Sequence, residues 1–574
     1  MATYNITQDD IYLLRAHKLI HVKVFLLDNN KMIVDELQGY VTSGDGSDDA
    51  TSDIRKSCNF SIHSYDSTYD IGEYNRIWLK NRVRIDLGFE DIQGEIHWYT
   101  KGTYVFDSCS YTYDGSTRDI SFQCSDLVST INGTHGGIIN GQCPFCNIPL
   151  NECKEHRGQL FGETILIEGC TLNEETGLYE GNDIKTVVED LLRENGINDF
   201  RVDTIGQVSC LQGYAVNWKQ NRIDTGTTQE EADKAESSRL DYLSNDHGTW
   251  HMIPYDLEFD VGTTLWEILI KIRDLYPGYE MFFDKDGMFV FQLIPICHHD
   301  IDVLDAGIME CLVISENTDY DLTTVRNATK VYGQNIEPDR YTEECTIGTT
   351  IYESKSVTSI SPVFDMAFAY SGDIVVGVLF PETSDNQKDL DSYITINNET
   401  YPIVLRKAIV SEDENEVATN IVQYNSLKYS YFNNEDIYCF KFLSSQKKWV
   451  YAGMYQIEGY CENNDPESPF AIDKIGYRLQ IKKGEEYNDI PTSTLAQERA
   501  EYENWLVSRL TDSITLESVI IPFLEANQKI QYKKLSNGSV DSYIIKSLSY
   551  SFIEGTMTIT MNKFYELDPF IVCS

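Results

Sequence analysis

The chain is poor in positive charge. Its 574 residues include 46 Lys and Arg against 91 Asp and Glu, which gives a formal net charge of −45 at pH 7. A surface of that sign repels phosphate backbones and anionic lipid headgroups. The composition therefore argues against a nucleic-acid reader and against a basic membrane-surface protein. It is compatible with a channel through which DNA slides without sticking.

Long apolar runs and export signals are also lacking. No stretch reaches about 18 apolar residues, so the sequence predicts no membrane insertion. The first twenty residues lack the charged start, apolar run and cleavage site of a signal peptide, and we expect synthesis in the cytoplasm. The 14 cysteines are therefore not expected to form a disulfide scaffold, because the cytosol keeps thiols reduced.

Common catalytic motifs are missing as well. The sequence contains no nucleotide-binding glycine loop, no G-x-S-x-G elbow and no H-E-x-x-H zinc helix, and we predict no enzymatic activity. The chain is nevertheless 41% hydrophobic and 12% aromatic, which is enough apolar material for well-packed cores. Its length predicts about three or four domains.

Short strand patterns dominate the first part of the chain. Residues 20–127 alternate apolar and polar side chains between turn residues, which is typical of an antiparallel sandwich or barrel. Ile20–Leu27 and Met32–Leu37 form one predicted hairpin. The segment Asp45–Asp53 is predicted to be a polar loop, since it lacks the bidentate glutamate of a calcium loop.

The middle of the chain has helical signals. One helix is predicted to begin near Asp183 and to stop at Gly196. Another begins at Thr264, which forms a capping box with Glu267. The pattern Asp284-Lys-Asp-Gly287 that follows predicts a hairpin turn rather than a calcium site, with glycine supplying a positive φ.

An internal repeat links the two ends of the chain. Residues 104–122 can be placed without gaps over residues 543–561, and the placement pairs Tyr104 with Tyr543 and Ser110 with Ser549. Unrelated β-hairpins also share Tyr, Ser and Thr at alternate positions, which is the alternative explanation. Two copies of one β-unit would let three subunits present six similar units, so that a trimer could dock on a six-fold ring.

These patterns predict a β-rich α+β multidomain fold, with two tail-tube-like antiparallel β-barrels separated by an α/β middle region. The expected divisions are 1–140 for the first barrel, 141–180 for a Cys-rich insertion, 181–322 for the middle domain and 323–574 for the second barrel, which carries insertions and a helix near 494–510.

A cysteine cluster gives the strongest chemical signal. Cys143, Cys146, Cys153 and His156 have the spacing of two close ligand pairs, and thiolates with imidazole at tetrahedral geometry select zinc. We expect one structural zinc ion per subunit, with an iron–sulfur cluster as the second choice. Cys170 could replace His156 as the fourth ligand, and free thiols on a loop are the alternative.

Seven segments in order along the chain carry a family resemblance. They are Lys23–Lys31, Asp53–Ser61, Gly102–Phe106, Ile131–Thr134, Ile253–Asp260, Leu275–Glu280 and Asn327–Gly333. Together they resemble the tail-hub or baseplate-hub proteins of long-tailed bacteriophages and related contractile injection machines. The cysteine cluster is not part of this family pattern.

The resemblance implies a structural virion protein made in the host cytoplasm. In that family two tube-like barrels per subunit form a trimeric, pseudo-six-fold ring, which continues the tail tube and carries the spike or fibre. The expected partners are two further copies of the chain, a tail-tube or distal tail ring, a spike or fibre protein, and DNA that passes without specific binding. A carbohydrate-binding adhesin at the tail tip is the alternative, and a cell-wall-degrading tail enzyme is a further one.

Overall fold

The computed structural model describes residues 10–565 with gaps. The gaps are 11, 15–18, 38–39, 65–66, 68, 74, 116–117, 140–164, 174–177, 204–222, 224–226, 245–251, 261, 277, 296–299, 343, 364–374, 397, 410–420, 444–445, 455, 485–486 and 492. Strands dominate the described part, and they form several sheets whose pairings are mostly antiparallel. The prediction of a β-rich fold is confirmed.

The first seven strands form one antiparallel unit. They are β1 (Leu19–Leu27), β2 (Ile33–Glu36), β3 (Tyr40–Asp49), β4 (Lys56–His63), β5 (Arg82–Glu90), β6 (Ile96–Tyr113) and β7 (Arg118–Asp126). Their order in space is β3-β4-β7-β6-β5-β1-β2, and a 3₁₀ turn at Leu127–Thr130 follows. The predicted hairpin is β1 with β2. Phe60 and Phe122 lie opposite each other on the core face, with ring centroids 5.0 Å apart.

Strand β3 corrects one expectation. The segment Asp45–Asp53 is not wholly a loop, because its first half continues β3. The core side of this strand carries Gly44 and Gly46, where a Cβ atom would lie 2.2 Å from the Phe552 ring and 2.5 Å from the Tyr550 ring. The glycines that resemble a loop in the sequence are needed here to admit two aromatic rings.

This packing predicts the effect of a methyl group at position 46. We expect Gly46→Ala to lower the free energy of unfolding by about 1–3 kcal/mol, because the ring of Tyr550 must move. Urea unfolding would measure the change, and adding Tyr550→Leu should recover part of it. Gly348 lies in a strand where an added Cβ atom would meet nothing within 4 Å, so Gly348→Ala is a matched control. Equal losses in the two glycine variants would contradict the explanation.

The middle of the chain builds three small sheets and four helices. The elements are β8 (Ile165–Ile167), β9 (Thr171–Asn173), β10 (Leu178–Glu180), α1 (Ile184–Glu194), β11 (Phe200–Val202), α2 (Gln229–Ser244), β12 (Leu257–Phe259), α3 (Leu265–Arg273), β13 (Tyr279–Phe283), β14 (Phe289–Leu293) and α4 (Ala306–Leu312). Asp183 caps α1, and the predicted capping box of Thr264 and Glu267 begins α3. The β13–β14 turn has Gly287 at a φ of 76°, as the hairpin interpretation requires.

A large β-rich segment interrupts the last part of the chain after β15 (Val313–Asp321). It contains β16 (Ala328–Asn335), β17 (Arg340–Thr342), β18 (Cys345–Tyr352), β19 (Lys355–Pro362), β20 (Val375–Leu379), α5 (Asp385–Lys388), β21 (Ser392–Ile396), β22 (Glu399–Ile409), β23 (Ile421–Ser426), a 3₁₀ turn (Tyr429–Tyr431), β24 (Ile437–Leu443), β25 (Lys448–Met454), β26 (Gln456–Glu462), α6 (Ile472–Ile475), β27 (Leu479–Lys482) and α7 (Ser493–Val507). Nine of these strands share one sheet around an aromatic core, and α7 packs on the sheet β26-β16-β27.

The second unit comprises β15 and the last four strands. These are β28 (Thr511–Val519), β29 (Lys529–Lys533), β30 (Val540–Ser551) and β31 (Thr556–Lys563). Their order is β15-β28-β31-β30-β29, the same as β3-β4-β7-β6-β5 in the first unit. Strand β30 also pairs with β3, so the two units share one 12-stranded sheet.

The register of the strands supports the repeat residue by residue. Both β3 and β15 have a bulge at the equivalent place, after Val41 and after Val313. A second bulge falls after Phe106 in β6 and after Ile545 in β30. Two bulges and a shared strand order are more specific than alternating Tyr and Ser, because bulges are local departures from the ladder.

The structure also corrects the repeat in its second strand. Cys109 lies opposite Phe122, whereas Leu548 lies opposite Ile559. The equivalent of Ile559 is therefore Phe122, two residues from the partner in the ungapped placement. A shift of two residues keeps every side chain on the same face of the sheet, which is why the shortened turn left no trace in the alternation.

The expectation of two separate closed barrels is not confirmed. In the described residues neither unit closes on itself, and both contribute to one open sheet. Their apolar faces share one core, which includes Phe60, Leu516, Tyr543 and Ile559. The two units are therefore halves of one packed body.

Candidate functional site

One face of the shared sheet is polar across eight strands. We call it the polar face, and its members are the side chains that alternate with the core residues on these strands. They are Asp45, Ser47, Ser57, Asn59, Ser61, Ser108, Ser110, Thr112, Ser121, Gln123, Ser315, Asn317, Asp319, Ser513, Thr515, Glu517, Ser547, Ser549, Ser551, Thr558, Thr560 and Asn562.

The polar face has a distinctive chemistry. All of its members are hydroxyl, amide or acidic side chains, so it offers neither a cation to a phosphate nor a ring for a base to stack on. Neighbouring strands hold these groups together through direct contacts. The hydroxyl oxygens of Ser61 and Ser121 are 2.7 Å apart, and Ser108 donates to Gln123 over 2.9 Å. Such a wall attracts water and repels phosphate.

The sequence contains a signal for this face that our prediction did not use. Ser, Thr and Asn recur at every second position in β4, β6 and β30, as in Ser547–Ser551. Strict alternation of small polar residues with apolar ones marks a sheet face that remains hydrated. The alternation alone does not reveal that eight strands align these residues into one surface.

Two edges of the sheet are unpaired in the described residues. Strand β15 pairs with β28 on one side only, and residues 107–113 of β6 pair with β7 only. Unpaired edges are templates for a strand from another chain.

The chain contains one occupied example of this pairing. Between the units, Asp45–Asp49 of β3 pairs with residues 547–551 of β30, and Gly46 lies opposite Tyr550. Tyr550 is 4% exposed, whereas its equivalent Tyr111 in β6 is 44% exposed. The free edge of β6 is the unoccupied counterpart of the edge that β30 offers to β3.

A buried ionic cluster lies beneath the junction between the units. Arg55 donates to Asp48 over 2.9 Å and to Glu280 over 2.7 Å, and it also donates to the carbonyl of Ala526. Burial alone would raise the pKa of Asp48, but Arg55, Lys56 and the amide of Ala526 outweigh it and hold that pKa below its usual value. The cluster joins the first unit, the middle region and the second unit.

Two further charged groups near the junction are shifted by burial. Lys101 donates to the carbonyls of Pro522 and Leu524, and burial lowers its pKa to about 8. Burial raises the pKa of Asp126 to about 6, although it accepts the amides of Lys56 and Val128. Both groups make contacts that order local backbone, and neither is on the polar face.

The predicted zinc ligands lie outside the described residues. Cys143, Cys146, Cys153 and His156 all fall in the segment 140–164, so their prediction stays a prediction. Cys170, the alternative ligand, is a buried free thiol. The described residues also bring together the carboxylates of Asp91 and Glu95 with His97, a mostly exposed group that sequence reasoning did not single out.

Comparison with known sequences gives one match. A family model described as a domain of unknown function (DUF5048) matches residues 467–568, which is less than half of the chain. The matched stretch contains α7 and strands β28–β31. No curated protein matches the chain.

The solved structures to which the chain is similar include tail proteins of phages and prophages, the class that the sequence resemblance predicted. One is the 43 kDa tail protein of prophage MuSo2 from Shewanella oneidensis, with 10% identity, a TM-score of 0.42 and coverage of 94% of this chain and 98% of that one. A tail protein from Neisseria meningitidis MC58 has 8% identity, a TM-score of 0.43 and coverage of 95% and 96%. Prophage tail protein gp18 from Listeria monocytogenes EGD-e has 9% identity, a TM-score of 0.38 and coverage of 95% and 95%. Likeness of this degree concerns overall arrangement and does not assign a function.

The helices bear on one further expectation. Within the described part of the chain, none is both long and apolar enough to cross a membrane.

Proposed function

We propose that the chain is a structural hub of a phage tail, three copies of which form a ring around the path of the DNA. The observation that carries this proposal is the pair of free edges on β15 and β6. They are the same edges, in the same register, that join the two units inside one chain. Repeating the internal junction between neighbouring subunits gives a ring of alternating first and second units.

The register of this contact between subunits follows from the repeat. In the internal junction Asp48 lies opposite Leu548, and the equivalent pair between subunits is Tyr320 with Cys109. In such a ring the sheet closes only through the assembly, which replaces the idea of two barrels that close within one chain. Closure would also remove both exposed edges.

The polar face suits the inner wall of that ring. A lumen lined with hydroxyl and acidic groups makes no lasting contact with DNA, since each Lys or Arg contact to phosphate would add affinity. The role is structural and uses no catalytic residue. Its partners would be a tail-tube or distal tail ring on one side and a spike or fibre protein on the other, and its location would be the virion.

Native mass spectrometry of the purified chain tests the assembly. We expect a trimer, because three subunits supply the six units of a pseudo-six-fold ring. The same spectrum reports metal content, and one zinc mass per subunit would support our proposal that Cys143, Cys146, Cys153 and His156 hold an ion. A stable dimer would contradict the ring, whereas a metal-free trimer would contradict only the zinc site.

Introducing positive charge tests the role of the polar face. We expect the double variant Ser110→Lys and Ser549→Lys, at equivalent exposed positions of β6 and β30, to retain duplex DNA in a gel-shift assay at low salt. The wild-type protein should retain none, and binding by the variant should fall steeply as salt rises. The matched control places two lysines elsewhere, as Leu79→Lys and Ile351→Lys, where both side chains are 77% exposed. Equal retention by the control would contradict a wall facing the DNA.

A further inference from the structure

Lys546 occupies a special position in β30. It is the extra residue of the bulge between Ile545 and Ser547. A bulge turns one side chain out of the regular alternation of a strand. The equivalent residue in β6 is Asp107, which accepts a hydrogen bond from Ser125 over 2.9 Å and lies 2.9 Å from the imidazole of His135.

Unlike Asp107, the Lys546 ammonium has neither a hydrogen-bond nor an ion-pair partner among the described residues. Burial lowers its pKa, and Arg509 and Arg55 lower it further against the opposite effect of Glu280. Glu280 itself already accepts hydrogen bonds from Arg55 and Asn527. A half-buried cation next to two guanidinium groups therefore lacks a counter-charge of its own.

The Lys546 side chain borders a cavity of about 400 Å³. Two arginines also line it: Arg273 at the end of α3 and Arg499 on α7. Both have partners, since Arg273 pairs with Asp274 and Arg499 with Glu503. Among the cations that line this cavity, Lys546 is the one left uncompensated by the described residues, and the volume is within the usual range of small-molecule sites.

We propose that this cavity binds a small oxyanion, a phosphate or carboxylate group, with the Lys546 ammonium as its charge partner. A charge buried without a partner is costly, and a bound anion would supply the partner that Asp107 finds in His135. The two arginines at the rim add positive potential without being consumed by it. The site lies apart from the polar face and does not depend on the assembly of a ring.

Thermal unfolding of the full chain in different anions tests the site. The buffers would be chloride alone, chloride with inorganic phosphate and chloride with acetate, at matched ionic strength. We expect phosphate or acetate to raise the Tm of the wild-type protein as the anion concentration increases, because a ligand that binds only the folded state stabilises it. We expect Lys546→Met to abolish that rise. A response to phosphate alone identifies a phosphate site, and a response to acetate alone identifies a carboxylate site.

Two controls keep the proposal falsifiable. Lys563 lies on β31 and pairs with Asp541, so Lys563→Met should keep the anion response. In chloride alone Lys546→Met should unfold at the same Tm as the wild-type protein or higher, since it removes an unpaired charge from a buried place. No anion response in the wild-type protein, or the same response in Lys546→Met, would overturn the site. A large fall in Tm for Lys546→Met in chloride would also overturn it, because it would reveal a partner inside the chain.

Discussion

Replacing Tyr320 with cysteine should lock the chain into a covalent trimer under mild oxidation. Tyr320 in β15 corresponds to Asp48 in β3, and Cys109 in β6 corresponds to Leu548 in β30. Asp48 and Leu548 lie directly opposite each other within one chain. The proposed ring places Tyr320 opposite Cys109 of the next subunit in the same way.

The geometry of antiparallel strands favours this disulfide. Directly opposite residues have Cα atoms about 4.5–5.5 Å apart, and disulfides form at separations of about 4.4–6.8 Å. Cys109 is a free, half-buried thiol. Oxidised glutathione would supply the oxidant, and non-reducing electrophoresis should show most chains of Tyr320→Cys as trimers, which revert to monomers on reduction.

Two variants control for chance cross-links. Adding Cys109→Ser to Tyr320→Cys should abolish the covalent trimer. Asp321→Cys moves the thiol by one residue to a position opposite Ser108, where the proposed register gives it no cysteine partner. If native mass spectrometry shows a trimer that Tyr320→Cys does not cross-link, the register is wrong. The same conclusion follows if the cross-link survives the loss of Cys109.

The repeat could be predicted from sequence because the first strand of each hairpin keeps the same spacing of Tyr and Ser. Tyr104 and Tyr543 sit at equivalent places beside the bulges, and both are fully buried. The second strand could not be placed correctly, because a turn shortened by two residues leaves the alternation unchanged. Local pattern therefore located the copies without fixing their register.

The strand β3 and the free edges could not be predicted in the same way. Gly44 and Gly46 suggest a loop until the rings of Phe552 and Tyr550 are known to pack on them, and those rings come from the other end of the chain. An edge is free only after all other pairings are known, so its position depends on contacts distant in sequence. The chemistry of each strand was readable, but the neighbour of each strand was not.

Arg55→Met should be the most destabilising single change at the junction of the units. The Arg55 side chain is 5% exposed and joins Asp48, Glu280 and the carbonyl of Ala526. These partners are 7, 225 and 471 residues away in the chain, which is why the sequence contains no sign of the cluster.

Removing the guanidinium leaves two carboxylates buried with reduced compensation, so we expect a loss of about 3–5 kcal/mol in the free energy of unfolding. Urea unfolding would measure it. Arg76→Met is the matched control, because Arg76 is 55% exposed where it pairs with Asp35, and exposed pairs contribute about 0–1 kcal/mol. A loss from Arg55→Met no larger than that of the control would show that the junction is held by its apolar core and strand pairing alone. A large loss would show that the angle between the two units, and so the curvature of the proposed ring, depends on one buried cation.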